Sequence, residues 1–297
     1  MTRAGLTPAD PAALVRNALF VINSPARQFR SAVEMSQMAA FADAAVAIDE
    51  TNLPTTFLSY YTYGAAIATA LDFSLRERSN GKISLDDYMR AMWLAYGKPG
   101  GPSPAIIAKP YTLEDARARL AEVSGDRKFA DDFFTRYVEG REVPDYAALF
   151  SRMGLVLRKR NAGAAWAGIF DSPFGGGRGR RGAGPASASA AGGVTIPGLV
   201  NWGTPAFTAG LEEADAITAM DGKAIGSPDD VQSVLRAHKP ADQVPVEFTR
   251  HGVAHRTTLT FAEDPAMEVV TVESTGGTLS ADQKTLRDAW LASKQHR

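Results

Sequence analysis

Ser59-Tyr60-Tyr61-Thr62-Tyr63-Gly64-Ala65-Ala66-Ile67-Ala68-Thr69-Ala70-Leu71-Asp72 opens a helix. Tyr60, Gly64, Ile67, Leu71 and Leu75 recur at spacings of three and four, which puts them on one face. Tyr61 stands about 100° round the helix from Tyr60, over the small residues Ala65 and Ala68. A first-turn tyrosine above small neighbours has room for a ligand beside its hydroxyl. The same residues also read as a core helix whose tyrosines only pack.

Helices surround this one. On the N-terminal side, Thr7 to Ile22 reads as a helix with Leu14, Val15, Ala18 and Val21 inward, broken at Ser24-Pro25. Ser31-Ala32-Val33-Glu34 is a capping box, and its helix should run through Met35, Met38, Ala42 and Ala45 to a stop at Asn52-Leu53-Pro54. On the C-terminal side, Ser84-Leu85-Asp86-Asp87 starts a helix with Leu85, Tyr88, Met89, Met92, Trp93 and Tyr96 inward. A Gly- and Pro-rich loop, Lys98 to Pro110, precedes the cap Thr112-Leu113-Glu114-Asp115, whose helix turns Leu113, Ala116 and Leu120 inward. Phe129, Phe133, Phe134 and Tyr137, then Tyr146, Leu149 and Phe150, mark two more helices. Residues 1–153 are therefore expected to form an all-helical array with aromatic faces.

The pattern changes at Gly154. Leu155-Val156-Leu157-Arg158 and Ala165-Trp166-Ala167-Gly168-Ile169-Phe170 are strand-like. Between 171 and 193 lies a low-complexity stretch of Gly, Arg, Ala and Ser, which reads as an unstructured insertion; Arg178, Arg180 and Arg181 could hold an acidic surface or RNA. From Val194 strands return, through Gly203-Thr204-Pro205-Ala206 and Ala209-Gly210-Leu211. Ala216–Ile225 folds as two strands about Asp221-Gly222. Ser227-Pro228-Asp229-Asp230 caps a helix, and a hairpin turns at His251-Gly252. A strand, Glu268 to Val272, and a helix, Leu279 to Ser293, end the chain, with Leu286, Trp290 and Leu291 inward. The fold class expected is α+β and multidomain: a helical region at 1–153, a small β domain at 154–265 and a strand and helix at 266–297.

Two resemblances attach to these residues. Tyr-Tyr-x-x-Gly-Ala before an apolar helix ending Leu71-Asp72 resembles the segment that follows the zinc site in the glycyl aminopeptidase family of gluzincin metallopeptidases, although Tyr63 stands where members often carry lysine. Arg287-Asp288-Ala289-Trp290-Leu291 resembles that family's closing segment. Gly203-Thr204-Pro205-Ala206 with Ala209-Gly210-Leu211 is similar to the PDZ domain of bacterial proteases, over about 165–262. It departs at Ala214 and Ala241, where that domain usually has glycine; if those turns need positive φ, each alanine costs about 1 kcal/mol.

What the resemblances imply is a portion of a zinc aminopeptidase acting on peptides with a free N-terminus. Tyr61 would donate to the oxyanion of the tetrahedral intermediate. The carboxylate loop of the PDZ domain falls on Trp166-Ala167-Gly168-Ile169, which would cradle a peptide C-terminus beside the helix after Ser227. Zinc belongs to the full-length family, but none is expected to bind this chain, because His-Glu-x-x-His is absent. The family's metal motif would lie upstream, so the chain reads as a truncation, a fragment or one part of a split enzyme whose upstream half would be a partner. The alternative is a non-catalytic peptide-binding module on a helical scaffold.

Composition narrows the rest. The 297 residues suffice for two domains, and 45% are hydrophobic, enough for a sizeable core. A net charge of −1 argues against a nucleic-acid partner. There are no cysteines, which removes disulfides and thiol catalysis and leaves the redox compartment open. No run is long and apolar enough to span a membrane, Met1–Leu6 lacks a signal peptide's apolar core, and localisation stays undecided. His251 and His255 have a spacing of four but fall in the hairpin without a glutamate between them, and His238 and His296 are isolated. The pairs Asp86-Asp87, Asp131-Asp132 and Asp229-Asp230 sit near expected helix starts, where carboxylates suit the helix dipole.

Overall fold

The computed structural model describes residues 10–41, 56–101, 103, 108–170 and 192–292. The expected ends of the Ser31 helix at Ala42 and Ala45, the Asn52-Leu53-Pro54 stop and the Arg178, Arg180 and Arg181 run lie outside them. The fold is α+β: helices first, then a small β domain, then a strand and a C-terminal helix.

The helical unit holds α1 (Pro11–Leu14), α2 (Asn17–Asn23), α3 (Ala32–Gln37), α4 (Tyr60–Ser79), α5 (Leu85–Met92), α6 (Leu113–Ser124), α7 (Arg127–Phe133) and α8 (Tyr146–Arg152). The helix expected up to Ile22 is two short ones, and Leu14 points outward. Ser24 ends α2, and its hydroxyl caps a 3₁₀ turn at Pro25–Gln28. The capping boxes at Ser31, Ser84 and Thr112 all form.

Helix α4 is the spine. Its buried stripe is Tyr63, Ala66, Ile67, Ala70, Leu71 and Leu75. Ile67, Leu71 and Leu75 face the core as expected, but Tyr60 is half-buried and Gly64 exposed; Tyr63, only 1% exposed, is the buried tyrosine. Beyond the stripe, Asp72 and Arg76 form a buried ion pair at 2.9 Å. Asp72 also accepts from Leu85 N–H (2.8 Å), and Arg76 donates to the Ala289 carbonyl (3.0 Å). One pair thus ties α4 to α5 and to the C-terminal helix, and removing either partner would strand the other charge at a cost of about 3–5 kcal/mol.

Two expected faces differ. On α5 Tyr88 is buried and Met89 exposed; beyond it the chain widens into a π turn at Trp93–Gly97, where Tyr96 is buried and Trp93 exposed. Leu113 is exposed, although Ala116 and Leu120 of the same helix are buried. Asp131 and Asp132 lie within α7, not at its start, and pair with Arg127 and Lys128 one turn earlier.

The strand β1 (Leu155–Lys159) pairs antiparallel with the strand near the C-terminus (Met267–Thr271), Leu155 opposite Thr271 and Lys159 opposite Met267. Leu155 and Val269 join the helical core, as do Leu286 and Trp290 of the last helix (Ala281–Leu291). Trp290 meets Phe73 of α4 edge-on at 4.9 Å. Gly154 makes the corner before β1 with φ +69°; a Cβ there would lie 2.2 Å from Leu279 and 2.5 Å from Arg287. Arg287, itself buried, seals that corner by donating to the carbonyls of Met153 and Gly154.

Between those paired strands lies the β domain: β2 (Ala165–Trp166), β3 (Val194–Thr195), a one-turn helix α9 (Pro205–Thr208), β4 (Ala216–Met220), β5 (Lys223–Ala224), α10 (Pro228–Ala237), β6 (Gln243–Arg250), β7 (Val253–Thr260) and β8 (Ala262–Glu263). With these, the C-terminal strand is β9 and the last helix α11. Five strands form one antiparallel sheet, β3-β4-β6-β7 with β5 on β4, and β2 pairs β8. The β6–β7 hairpin turns at His251-Gly252, both at positive φ as a two-residue loop demands. Its core, with Ile196, Ile217, Val231, Val246, Leu259 and Phe261, is separate from the helical one.

Candidate functional site

Two places were marked by the sequence. The first is the loop after β2. Trp166, Ala167 and Ile169 are buried, and with Phe170 they face Val231, Gln232 and Leu235 of α10. The expected juxtaposition of this loop with the helix after Ser227 is therefore present. The two surfaces close on each other, leaving about 10 Å³ between them, the room of roughly a single water.

The loop is held open on its backbone side. Gly168 has φ +71°, and a Cβ there would stand 2.6 Å from Thr204 Cβ. Thr204 is itself fixed: its hydroxyl donates to the Asn201 carbonyl (2.8 Å) and accepts from Phe207 N–H (3.1 Å), capping α9. Ala206 N–H donates to the Ala167 carbonyl at 2.9 Å. Among the described residues, no acceptor meets the N–H of Gly168, Ile169 or Phe170. Three successive unpaired N–H groups around a glycine can receive a carboxylate.

The wall opposite is anchored at both ends. Asp230 completes the capping box of α10; its carboxyl is held below the usual range by the N–H of Gly226 and by the hydroxyl and N–H of Ser227. At the far end His238 places its ring nitrogens 3.1 Å from Asp221 and 3.3 Å from Asp242. Behind the loop, Arg250 grips the buried Asp215 through two bonds of 2.8 and 2.7 Å and donates to the Gly210 carbonyl. Ala214, just before Asp215, has φ +68°, and Ala241 has φ +74°. Both alanines thus occupy the left-handed region.

The second place is Tyr61. It lies in the first turn of α4, 74% exposed, its ring 4.4 Å from that of Tyr60. Tyr63 and Tyr146 are instead deeply buried, and burial raises both phenols' pKa. Their hydroxyls meet no partner among the described residues. Tyr61 lines neither the space between the Trp166–Ile169 loop and α10 nor the cleft beside Trp202.

The described residues offer no group of three His, Asp or Glu side chains that could hold a metal ion. His251 sits in the hairpin turn, and His255 lies on β7, stacked on Phe248 at 5.3 Å. The described residues do not fit a zinc site. No described helix is long and apolar enough to cross a membrane.

A cleft that the sequence did not mark lies between the two cores. It is lined by the α2–3₁₀ corner, including Ile22 and Arg27, and by Trp202 and Gly203 ahead of the Thr204 cap. Its residues are far apart in sequence and carry no shared motif.

Residues 152–260 match the family model of the PDZ domain. No curated protein matches the chain. The crystal structure of an aminopeptidase N family protein from Idiomarina loihiensis has a similar fold, with a TM-score of 0.68 at 21% identity, over 94% of this chain and 43% of that one. A serine endoprotease from Yersinia pestis matches 35% of this chain and 30% of its own at 19% identity, with a TM-score of 0.26. The chain spans less than half the length of the aminopeptidase structure that it resembles.

Proposed function

We propose that this chain is the C-terminal portion of a zinc-dependent aminopeptidase that acts on peptides with a free N-terminus, and that its zinc ligands come from a part of the enzyme outside this chain. The observation that carries this is the fold likeness, which runs through nearly the whole chain while covering less than half of the aminopeptidase N family structure. The lack of a metal-holding cluster among the described residues agrees with ligands supplied from elsewhere. Tyr61 is the chain's contribution to the chemistry: exposed and in a first turn, its hydroxyl donates to the oxyanion of the tetrahedral intermediate.

The PDZ domain supports a second reading, a peptide-binding module without catalysis of its own. Its basis is the run of unpaired N–H groups at Gly168, Ile169 and Phe170 beside α10. Because the loop and helix close on each other, α10 must draw back before a peptide's last side chain can enter.

The test is twofold. Zinc is measured by mass spectrometry on the purified chain, and hydrolysis of glycyl and alanyl anilides is followed with and without the polypeptide encoded upstream. Activity and zinc that appear only with the upstream polypeptide support the first reading. Stoichiometric zinc and turnover by this chain alone would overturn it. Binding of C-terminal peptides with no activity in either preparation would leave the second.

A further inference from the structure

The cleft between the helical unit and the PDZ domain is lined by a cation that has no counter-charge among the described residues. The cleft is about 200 Å³ and open to solvent on one side. Arg27, on the 3₁₀ turn after α2, lines it. Arg27 Nε is inaccessible to water and has no hydrogen-bond partner, and no described carboxylate pairs with this guanidinium. An arginine so placed is costly to keep: a buried N–H without an acceptor forfeits its hydration for nothing. Arg76 and Arg287 each have a described carboxylate, Asp72 and Glu273, although Arg76 too keeps one nitrogen, Nη2, without a partner.

A second sign of a missing acceptor lies deeper. Burial raises the pKa of the Tyr63 hydroxyl, and the charge of Arg27 opposes that rise. Tyr63 is 1% exposed and its hydroxyl also has no partner. Two polar groups, one on the 3₁₀ turn and one on α4, therefore lack a partner among the described residues. The rest of the lining is mixed: Ile22 on the helical side and Trp202 on the PDZ side are apolar, with Phe29 at 6.2 Å from the Trp202 ring, while Asn23, Ser24 and Gln28 are polar. Trp202 and Phe29 remain half exposed, at 50% and 47%.

We propose that this cleft binds a carboxylate that carries an adjoining apolar group, with the acid on Arg27 and the apolar group against Trp202. The guanidinium's planar fork suits a carboxylate in two-point contact, and the indole face takes aliphatic or aromatic bulk without a polar requirement. The volume admits one amino-acid residue and not a long peptide. A free N-acylated amino acid and the last residue of a peptide share this chemistry. Since Thr204 follows Trp202 and Gly203 and packs on Gly168, an occupant at Trp202 lies two residues along the chain from the support of the PDZ loop.

The experiment uses the full chain labelled with 5-fluorotryptophan. Four tryptophans give four ¹⁹F signals, and those of Trp202 and Trp166 are assigned by Trp202→Phe and Trp166→Phe. The titrants are N-acetyl-leucine, N-acetyl-leucinamide and N-acetyl-Ala-Ala-Leu. The acid is expected to move the Trp202 signal, and the neutral amide to bind at least roughly tenfold more weakly, the scale of a charge-assisted hydrogen bond. Arg27→Met should abolish the shift. Arg27→Lys, which keeps the charge and so serves if the first variant is unstable, should weaken it. Equal binding of acetyl-leucine and the tripeptide supports a site for any such acid; binding of the tripeptide alone supports a peptide terminus. The proposal is overturned if amide and acid titrate alike, if Arg27→Met behaves as the parent, or if Trp166 moves and Trp202 does not.

Discussion

Gly168 and Thr204 are packed so that a Cβ on the glycine would stand 2.6 Å from the Cβ of the threonine. The Thr204 cap and the Trp166–Ile169 loop are thus fitted to each other through a hydrogen atom. Gly168→Ala carries two penalties, the clash and the positive φ, and is expected to cost about 1–3 kcal/mol. Urea unfolding measures this, and peptide titration should show a larger loss of binding than the Thr204→Ser variant, which keeps the capping hydroxyl and removes only the methyl group. An unchanged unfolding midpoint in Gly168→Ala would show that the loop can move away from Thr204 freely.

Ala214 and Ala241 are expected to be improvable. Each is held at positive φ, where a Cβ crowds the backbone. Ala214→Gly and Ala241→Gly should each stabilise the PDZ domain by about 1 kcal/mol, reduced somewhat by the extra freedom of glycine in the unfolded chain. Denaturant midpoints that fall in both variants would mean the turns do not feel the strain.

The three neighbouring tyrosines should separate cleanly. In a preparation with peptidase activity, Tyr61→Phe should lower kcat by roughly 10²–10³ with little change in KM. Tyr60→Phe should be mild. Tyr63→Phe should leave stability equal or higher, because the hydroxyl it removes is buried without a partner. Kinetics and thermal melts on the three variants decide the assignment; a kcat loss in Tyr60→Phe alone would transfer the catalytic role to Tyr60.

Acid should weaken the fold through its capping carboxylates. Asp230, Asp115 and Glu34 all have lowered pKa values, chiefly from backbone N–H groups at Gly226, Thr112 and Ser31. Their unfolded values are higher, near 4, so the unfolded chain binds more protons in that interval. Their stabilisation is full above the unfolded values and is lost as pH falls through the folded ones. Urea midpoints should therefore decline from about pH 5 downward, and Asp230→Asn should flatten the decline. Parallel slopes for the two proteins would assign the acid loss to other groups.

Much of this was readable because it is local. A capping box needs only a hydroxyl and a carboxyl three residues apart, so Ser31, Ser84, Thr112 and Ser227 announce their helices. The His251-Gly252 turn and the glycine-poor turns at Ala214 and Ala241 were equally visible. Tyr63 was not separable from Tyr60, since three tyrosines in four positions blur the helical period. Trp93 was misplaced because it opens a π turn, which leaves no mark on that period. The Arg27 cleft joins residues whose only link is the packing of two cores. The partner of β1, more than a hundred residues away, likewise has no local signal.

That pairing of β1 with β9 has an architectural consequence. Arg160 N–H donates to the Ala266 carbonyl at 2.8 Å, so the PDZ domain leaves and re-enters its host at a single point. It is a cassette: splicing a two-residue turn between Lys159 and Met267 would convert its doorway into an ordinary hairpin and leave Leu155 and Val269 in the helical core. The cassette meets its host again away from that doorway, where the Trp202 and Phe29 rings lie 6.2 Å apart beside the cleft that Arg27 lines, so the space between the two bodies is bounded by a covalent doorway at one place and by an aromatic contact at another.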